Sequence, residues 1–350
     1  MITILLFLSS GLFLGWSLGA NDAANIFGTA VATKMIRFRT AAFLCSIFVI
    51  LGAIISGSGT SHTLGQLGTI NALAGAFTVA LASAITILWM TKTGLPVSTS
   101  QAIVGAIIGW NLFSHTPIGY TTLRSIVGTW IFSPILSAAF AFLLFHFIKK
   151  IIDNSRIHLF RLDSLNRWGL LLVGSFGAYS LGANNIGNVM GVFINSSPFS
   201  ELTVLNLIQL SSIQQLFLLG GIAISAGVIT FSKKVMLTVG TNIFRLSPIT
   251  AFIVVLASSL VLFVFASQEL KDLLISLHLP SFPLVPVSSS QAVVGAVIGI
   301  SIAKGGRNVN FRILGKIAIG WISTPVAAGL LAYMMLFFMQ NVFMQNVYIK

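Results

Sequence analysis

Five stretches of this chain, 40–58, 72–90, 125–147, 206–231 and 248–266, run for the length of a membrane span with almost no charge. About 20 apolar residues in a helix cross a hydrocarbon core of about 30 Å. A water-exposed surface cannot be built from such runs, so the solvent around most of this chain is lipid. Composition agrees: 56% of the residues are apolar and 7% charged, with a mean hydropathy of +0.99, where a soluble domain carries roughly a quarter charged residues. The run from Met1 to about Ala20 lacks a basic leading region and flows into a polar motif, so it reads as a mature span rather than a signal peptide.

The net charge of +13 would point to nucleic acid in a soluble protein. Here the basic residues lie between or at the ends of the apolar runs, where they set topology, and no nucleic-acid partner is expected. Cys45 is the sole cysteine and falls inside a span, which excludes an intrachain disulfide and a multi-thiolate metal site. His62, His115, His146, His158 and His278 are scattered without ligand spacing.

The chain repeats itself. Ser17-Leu18-Gly19-Ala20-Asn21-Asp22-Ala23-Ala24-Asn25 returns as Ser180-Leu181-Gly182-Ala183-Asn184-Asn185-Ile186-Gly187-Asn188, and Val79–Ser83 returns as Val254–Ser258. Pro96-Val97-Ser98-Thr99-Ser100-Gln101 returns as Pro286-Val287-Ser288-Ser289-Ser290-Gln291, and Trp130–Pro134 as Trp321–Pro325. Matches in a common order mean duplication. The offset widens across the polar stretch Gln268 to Pro283, which reads as an added loop of the second half. The division expected is a first transmembrane repeat at 1–148, a basic cytoplasmic connection at 149–167 and a second repeat at 168–350.

Lys and Arg concentrate on the cytoplasmic side of membrane proteins. No basic residue lies near the N-terminus, so it is placed outside. Lys34, Arg37 and Arg39, then Lys92, then Lys149, Lys150, Arg156, Arg161 and Arg167 all fall inside if each half crosses about five times. An odd number of crossings inserts the second half upside down. Lys233, Lys234, Arg245, Lys304, Arg307, Arg312 and Lys316 then also fall inside, and the C-terminus outside. Arg124, Lys271 and Lys350 do not fit this count. The expected fold is all-α and polytopic: two inverted-topology repeats with broken or half helices at mid-membrane, a plan of secondary transporters.

Three features break the apolar pattern. Asp22 is the only acidic residue within an apolar segment, and a carboxylate at that depth costs about 2.5–3.5 kcal/mol even on a lenient insertion scale. Asn21 and Asn25 add amide oxygens beside it, on nearly one helical face or in a local break. Hard oxygen ligands with one formal charge suit Na⁺, or a proton on Asp22 itself; packing against a neighbouring helix is the plainer alternative. In the second copy Asn184 and Asn188 retain the amides, but Asn185 stands where Asp22 does, offering neither charge nor proton. The third feature is the pair Ser98, Thr99, Ser100, Gln101 and Ser288, Ser289, Ser290, Gln291, each following a proline and preceding a small-residue helix. Proline and hydroxyl residues in that order start helices. A half-helix opening within the protein presents free N–H groups, hydroxyls and a positive dipole end, which bind anions. Two such ends could converge on one tetrahedral oxyanion with no Lys or Arg involved. The plainer alternative is that the hydroxyls merely glue helices together.

The duplicated Gly-Ala-Asn-Asp, Pro-Val-Ser-Thr/Ser-Ser-Gln and Trp-x-x-Ser/Thr-Pro blocks resemble the inorganic phosphate transporter (PiT) family over almost the whole chain. The resemblance implies an inverted-repeat fold in the cell membrane that binds phosphate between its halves and is driven by Na⁺ or H⁺. Carried over by position, it implies cation binding around Asn21, Asp22 and Asn25, and phosphate contacts from Ser98, Thr99, Ser100 and Gln101 with Ser288, Ser289, Ser290 and Gln291. Asn185 departs from the family pattern, which usually has Asp in both copies. The family also includes sulfate permeases, so sulfate or a related oxyanion is the alternative cargo. An intramembrane enzyme would need a second carboxylate or an in-span histidine partner for Asp22; none is expected, nor is any cofactor beyond the coupling ion. A homo-oligomer is compatible with these features.

Overall fold

A computed structural model describes residues 2–92, 97–155, 158–204, 208–238, 246–306 and 311–349. The first half holds α1 (Ile2–Ala32), α2 (Phe38–Ser56), α3 (Ser58–Leu67), α4 (Leu73–Lys92), α5 (Thr99–Ser114) and α6 (Tyr120–Asn154). The second holds α7 (Leu159–Met190), α8 (Ser212–Thr230), α9 (Ser232–Thr238), α10 (Pro248–Val264), α11 (Gln268–Ser276), α12 (Ser289–Ala303) and α13 (Phe311–Asn341). A 3₁₀ turn at Gly191–Ser196 and a small hairpin, Leu202–Val204 with Ile208–Leu210, join α7 to α8. Among the described residues six helices, α1, α2, α4, α6, α8 and α13, are long and apolar enough to cross a membrane. α10 and α11 form a seventh candidate, bent by 72° at a short break. α5 and α12, of 16 and 15 residues, reach only about 24 Å at 1.5 Å per residue. They fit the half-helices expected after the Pro-Val-Ser blocks.

The outer faces of α6 and α13 expose Ile131, Ile135, Leu143 and Phe147, and Ile319, Ile322, Leu330 and Phe337, as lipid-facing surfaces should. Between helices the seams use small residues, which let backbones approach closely. A Cβ on Gly105 of α5 would run into the Pro325 carbonyl of α13, and one on Gly295 of α12 into the Pro134 carbonyl of α6. Gly19 of α1 meets Ile224 of α8 in the same way, and Gly182 of α7 meets Val49 of α2. Each seam thus has a counterpart made by the equivalent residues of the other half. Exchanging α1 with α7, α2 with α8, α4 with α10, α5 with α12 and α6 with α13 reproduces the pairing of helices.

Four sequence expectations are refined. α1 and α7 run unbroken through both asparagine blocks, so Asn21, Asp22 and Asn25 sit on a continuous helix face and not in a local break. The polar stretch after Ser267 is not only a loop: residues 268–276 are helical, capped by the Ser267 hydroxyl. Within the basic connection at 149–167, the described residues up to Asn154 belong to α6 and those from Leu159 to α7. Of the apolar run 206–231, residues 208–210 are a strand and the helix begins at Ser212.

α2 runs from Phe38 to α3, and α10, capped by Ser247, is followed by Ala266, whose carbonyl lies against Gly59 of α3. Phe38 and Ser247 therefore share the end of the bundle opposite α3. Basic residues gather there. Lys233 sits 5.9 Å over the Phe38 ring and Lys304 5.8 Å over Phe145, and Lys149, Asp153 and Lys304 line one cavity. Pro96 with the residues before it, and Arg156, Arg245, Arg307 and Lys350, lie outside the described residues, as do the side chains of Arg312 and Lys316.

Candidate functional site

Ser98 and Ser288 each cap their half-helix: the Ser98 hydroxyl accepts from the Gln101 N–H at 3.3 Å, and the Ser288 hydroxyl from the Gln291 N–H at 3.2 Å. A serine cap satisfies one of the orphan donors of a helix start and leaves the others of the first turn free. The two starts are locked side by side. Ser100 Oγ donates to the Val287 carbonyl at 3.1 Å, and Ser290 Oγ to the Val97 carbonyl at 3.3 Å. Residues separated by nearly two hundred positions therefore make the same bond in both directions. All eight residues of the two blocks are buried, so both helix starts open inside the protein.

The asparagine blocks flank this junction. From α1, Asn25 Nδ2 donates to Ser289 Oγ at 3.2 Å, and Asn21 Nδ2 to Asp22 Oδ1 at 2.9 Å. The Ser289 hydroxyl faces the Asp22 carboxylate as a second donor. From α7, Asn188 Nδ2 reaches Ser100 Oγ at 2.8 Å and Asn185 Oδ1 at 2.9 Å, and Asn184 Oδ1 accepts from the Val287 N–H at 3.0 Å. Every residue nominated from the sequence is brought to this one region. Asn21 and Asn25 are half-buried; the other four members of the two blocks are fully buried.

The halves are not equivalent in detail. Ser289 is engaged by Asn25 and Asp22, whereas Thr99, its counterpart, has no hydrogen-bond partner among the described residues. Among the described residues the amide oxygens of Gln101, Gln291 and Asn188 and the amide nitrogens of Asn184 and Asn185 are unpartnered as well. A buried polar group without a partner costs about 1–3 kcal/mol, and native interiors hold few of them. Their concentration around two helix starts is chemistry suited to a polar cargo: hydroxyl and amide N–H groups for an anion, amide oxygens and one carboxylate for a hard cation.

One element escaped the sequence reading. The hydroxyl-rich α3 closes over the junction: Thr60 Oγ1 donates to the Ala183 carbonyl at 3.3 Å, Thr63 Oγ1 bonds the Leu284 carbonyl, and Ser61 packs against Gly187. The cluster Ser58-Gly59-Thr60-Ser61-His62-Thr63 directly after an apolar run was the available signal. Ser17 and Thr91, also unpartnered, border a small cavity beside Asn21.

Residues 18–332, and again 273–349, match the sequence model of the phosphate transporter family. A protein of Methanocaldococcus jannaschii named "Putative phosphate permease" is 27% identical over 335 residues, covering 95% of this chain and 97% of that protein. One of the same name from Pyrococcus furiosus is 25% identical over 416 residues, covering 95% and 94%. A solved structure titled "The sodium-dependent phosphate transporter" superposes with a TM-score of 0.76 at 24% identity, covering 96% of this chain and 99% of that one. At that identity the superposition speaks for the fold.

Proposed function

Because this chain belongs to the phosphate transporter family, a family of carriers and not of enzymes, we propose that it moves inorganic phosphate across the cell membrane, driven by a cation held at Asp22. The observation that carries this reading is the reciprocal junction of α5 and α12, where two capped helix starts meet the unpartnered Thr99 hydroxyl and the unpartnered amide groups of Asn184 and Asn185. Phosphate would be held by first-turn N–H groups and by the Thr99 and Ser289 hydroxyls. Neutral donors bind an oxyanion through dipoles and hydrogen bonds, and without a fixed opposite charge release remains easy.

Asp22, Asn21 and Asn25 would hold the cation, and Ser289 touches both parts of the site. Loading the cation neutralises the carboxylate that would otherwise repel phosphate a few ångströms away, which couples the two cargoes. Asn185 and Asn188 offer amide oxygens but no charge, so the second half would hold a cation weakly or not at all. The solved relative is described as sodium-dependent, which favours Na⁺; a proton on Asp22 is the second candidate. The exchange of helix pairs between halves supports an inverted repeat about an axis in the membrane plane, with both termini outside, the basic end in the cytoplasm and the halves meeting in the connection 149–167. Uptake of radiolabelled phosphate and sulfate into proteoliposomes, under imposed Na⁺ or proton gradients, is the test. Accumulation of sulfate but not phosphate, or no gradient dependence, would overturn the reading.

A further inference from the structure

At the end of the bundle away from the lysine cluster, α3, the start of α6, α11 and the chain leading into α12 enclose an open cavity of about 660 Å³. Its polar lining includes His62, Gln66, Thr121, Ser125, Gln268 and Lys271, and among the described residues no carboxylate. Arg124 lines an adjoining cavity of about 440 Å³ that shares Ser125 and Pro283 with it. The two acidic side chains of α11 are engaged on the helix itself: Glu269 accepts from Ser267 Oγ at 2.9 Å, and Asp272 from Gln268 Nε2 at 2.8 Å. Arg124 and Lys271 are two of the three charges that the topology count leaves outside, and they line these two adjoining cavities.

The floor of the cavity is Pro283, Leu284 and Val285. Only Pro286 and Val287 separate Val285 from the Ser288 cap, a span of about 10 Å in extended chain. Leu284 and Val285 are buried, and Phe282 packs edge-on against Phe265 with ring centroids 5.5 Å apart. An apolar plug thus stands between a basic, hydroxyl-lined bowl and the α12 start.

We infer that this bowl is a second, shallow binding site for a small inorganic oxyanion, which it collects at the mouth of the path to the half-helices. The inference rests on the phosphate-carrier reading only for the identity of the oxyanion. In water a unit charge at about 5–8 Å favours binding about two- to fourfold per unit of anion charge, and salt screens it over about 8 Å at physiological ionic strength.

The test has two arms. Lys271→Gln is expected to raise the apparent KM for phosphate uptake at low ionic strength, an effect that fades as choline chloride is added at a fixed coupling gradient. A KM shift that ignores ionic strength, or none, would overturn the inference. The second arm needs no transport. Cys45 is buried, so a Gln66→Cys variant offers one accessible thiol, and its rates with anionic and cationic thiosulfonates are compared after normalisation to a free thiol. The anionic reagent should be favoured, and Lys271→Gln should cut the ratio of the anionic to the cationic rate about 4- to 16-fold, because one rate falls as the other rises. An unchanged preference, or one for the cationic reagent, also overturns the inference. If the unaltered protein shows no phosphate uptake, the carrier reading falls while the reagent ratio still decides the bowl.

Discussion

Replacing Thr99 by Val separates a cargo contact from a packing contact, because the Thr99 hydroxyl is buried and has no partner among the described residues. Valine keeps the shape and removes only the O–H. No internal hydrogen bond is lost, and a buried polar group without a partner, which costs about 1–3 kcal/mol, disappears. Thermal stability of the purified protein should therefore hold or rise. A hydrogen bond to a charged group contributes about 1.5–3 kcal/mol, so apparent phosphate affinity should fall about 10- to 150-fold. Ser100→Ala is the contrast. Its hydroxyl donates to Val287 and accepts from Asn188, so this change should lower stability as well as uptake. The assay is uptake over a range of phosphate concentrations beside a melting curve for each variant. Wild-type affinity in Thr99→Val would refute the reasoning and move the anion elsewhere. A large loss of stability in that variant would show that the hydroxyl serves the fold. Ser289→Ala should also weaken affinity by about tenfold or more, and the double variant should be non-additive if both hydroxyls touch one ion.

Asp22→Asn should abolish gradient-driven uptake in a protein that still reaches the membrane folded; concentrative uptake at the wild-type level by a well-expressed variant would contradict the cation site. Asn185→Asp restores a carboxylate to the second half and should steepen the Na⁺ dependence of uptake, read from initial rates over a Na⁺ series; an unchanged curve would mean that the amide does not limit cation binding there. A cysteine at the exposed Asn154 position should stay unlabelled by an impermeant reagent added to intact cells, and labelling from outside would reverse the topology.

Much of this protein is written in local chemistry. Charge-free runs commit segments to lipid whatever their neighbours, so α1, α2, α4, α6, α8 and α10 could be read without a structure, while α13 was not among the runs. The proline–hydroxyl pattern specifies a helix start from residues within one turn, and Ser98 and Ser288 cap their helices as that pattern implies. Duplication is visible because equivalent residues keep equivalent spacing, and the glycine seams of the two halves answer each other for that reason. What local pattern cannot carry is the choice of partner across the chain. That Ser100 meets Val287 and Ser290 meets Val97, that Thr99 is left free while Ser289 is engaged, and that α3 folds back over the junction are decided by how the two halves pack. Arg124 and Lys271 make the same point: counted along the chain they are misplaced topology signals, and only folding brings them to adjoining cavities. Lipid solvation and helix capping act within a segment, whereas a binding site is made by backbone and side chains from segments nearly two hundred residues apart, and those are joined by packing alone.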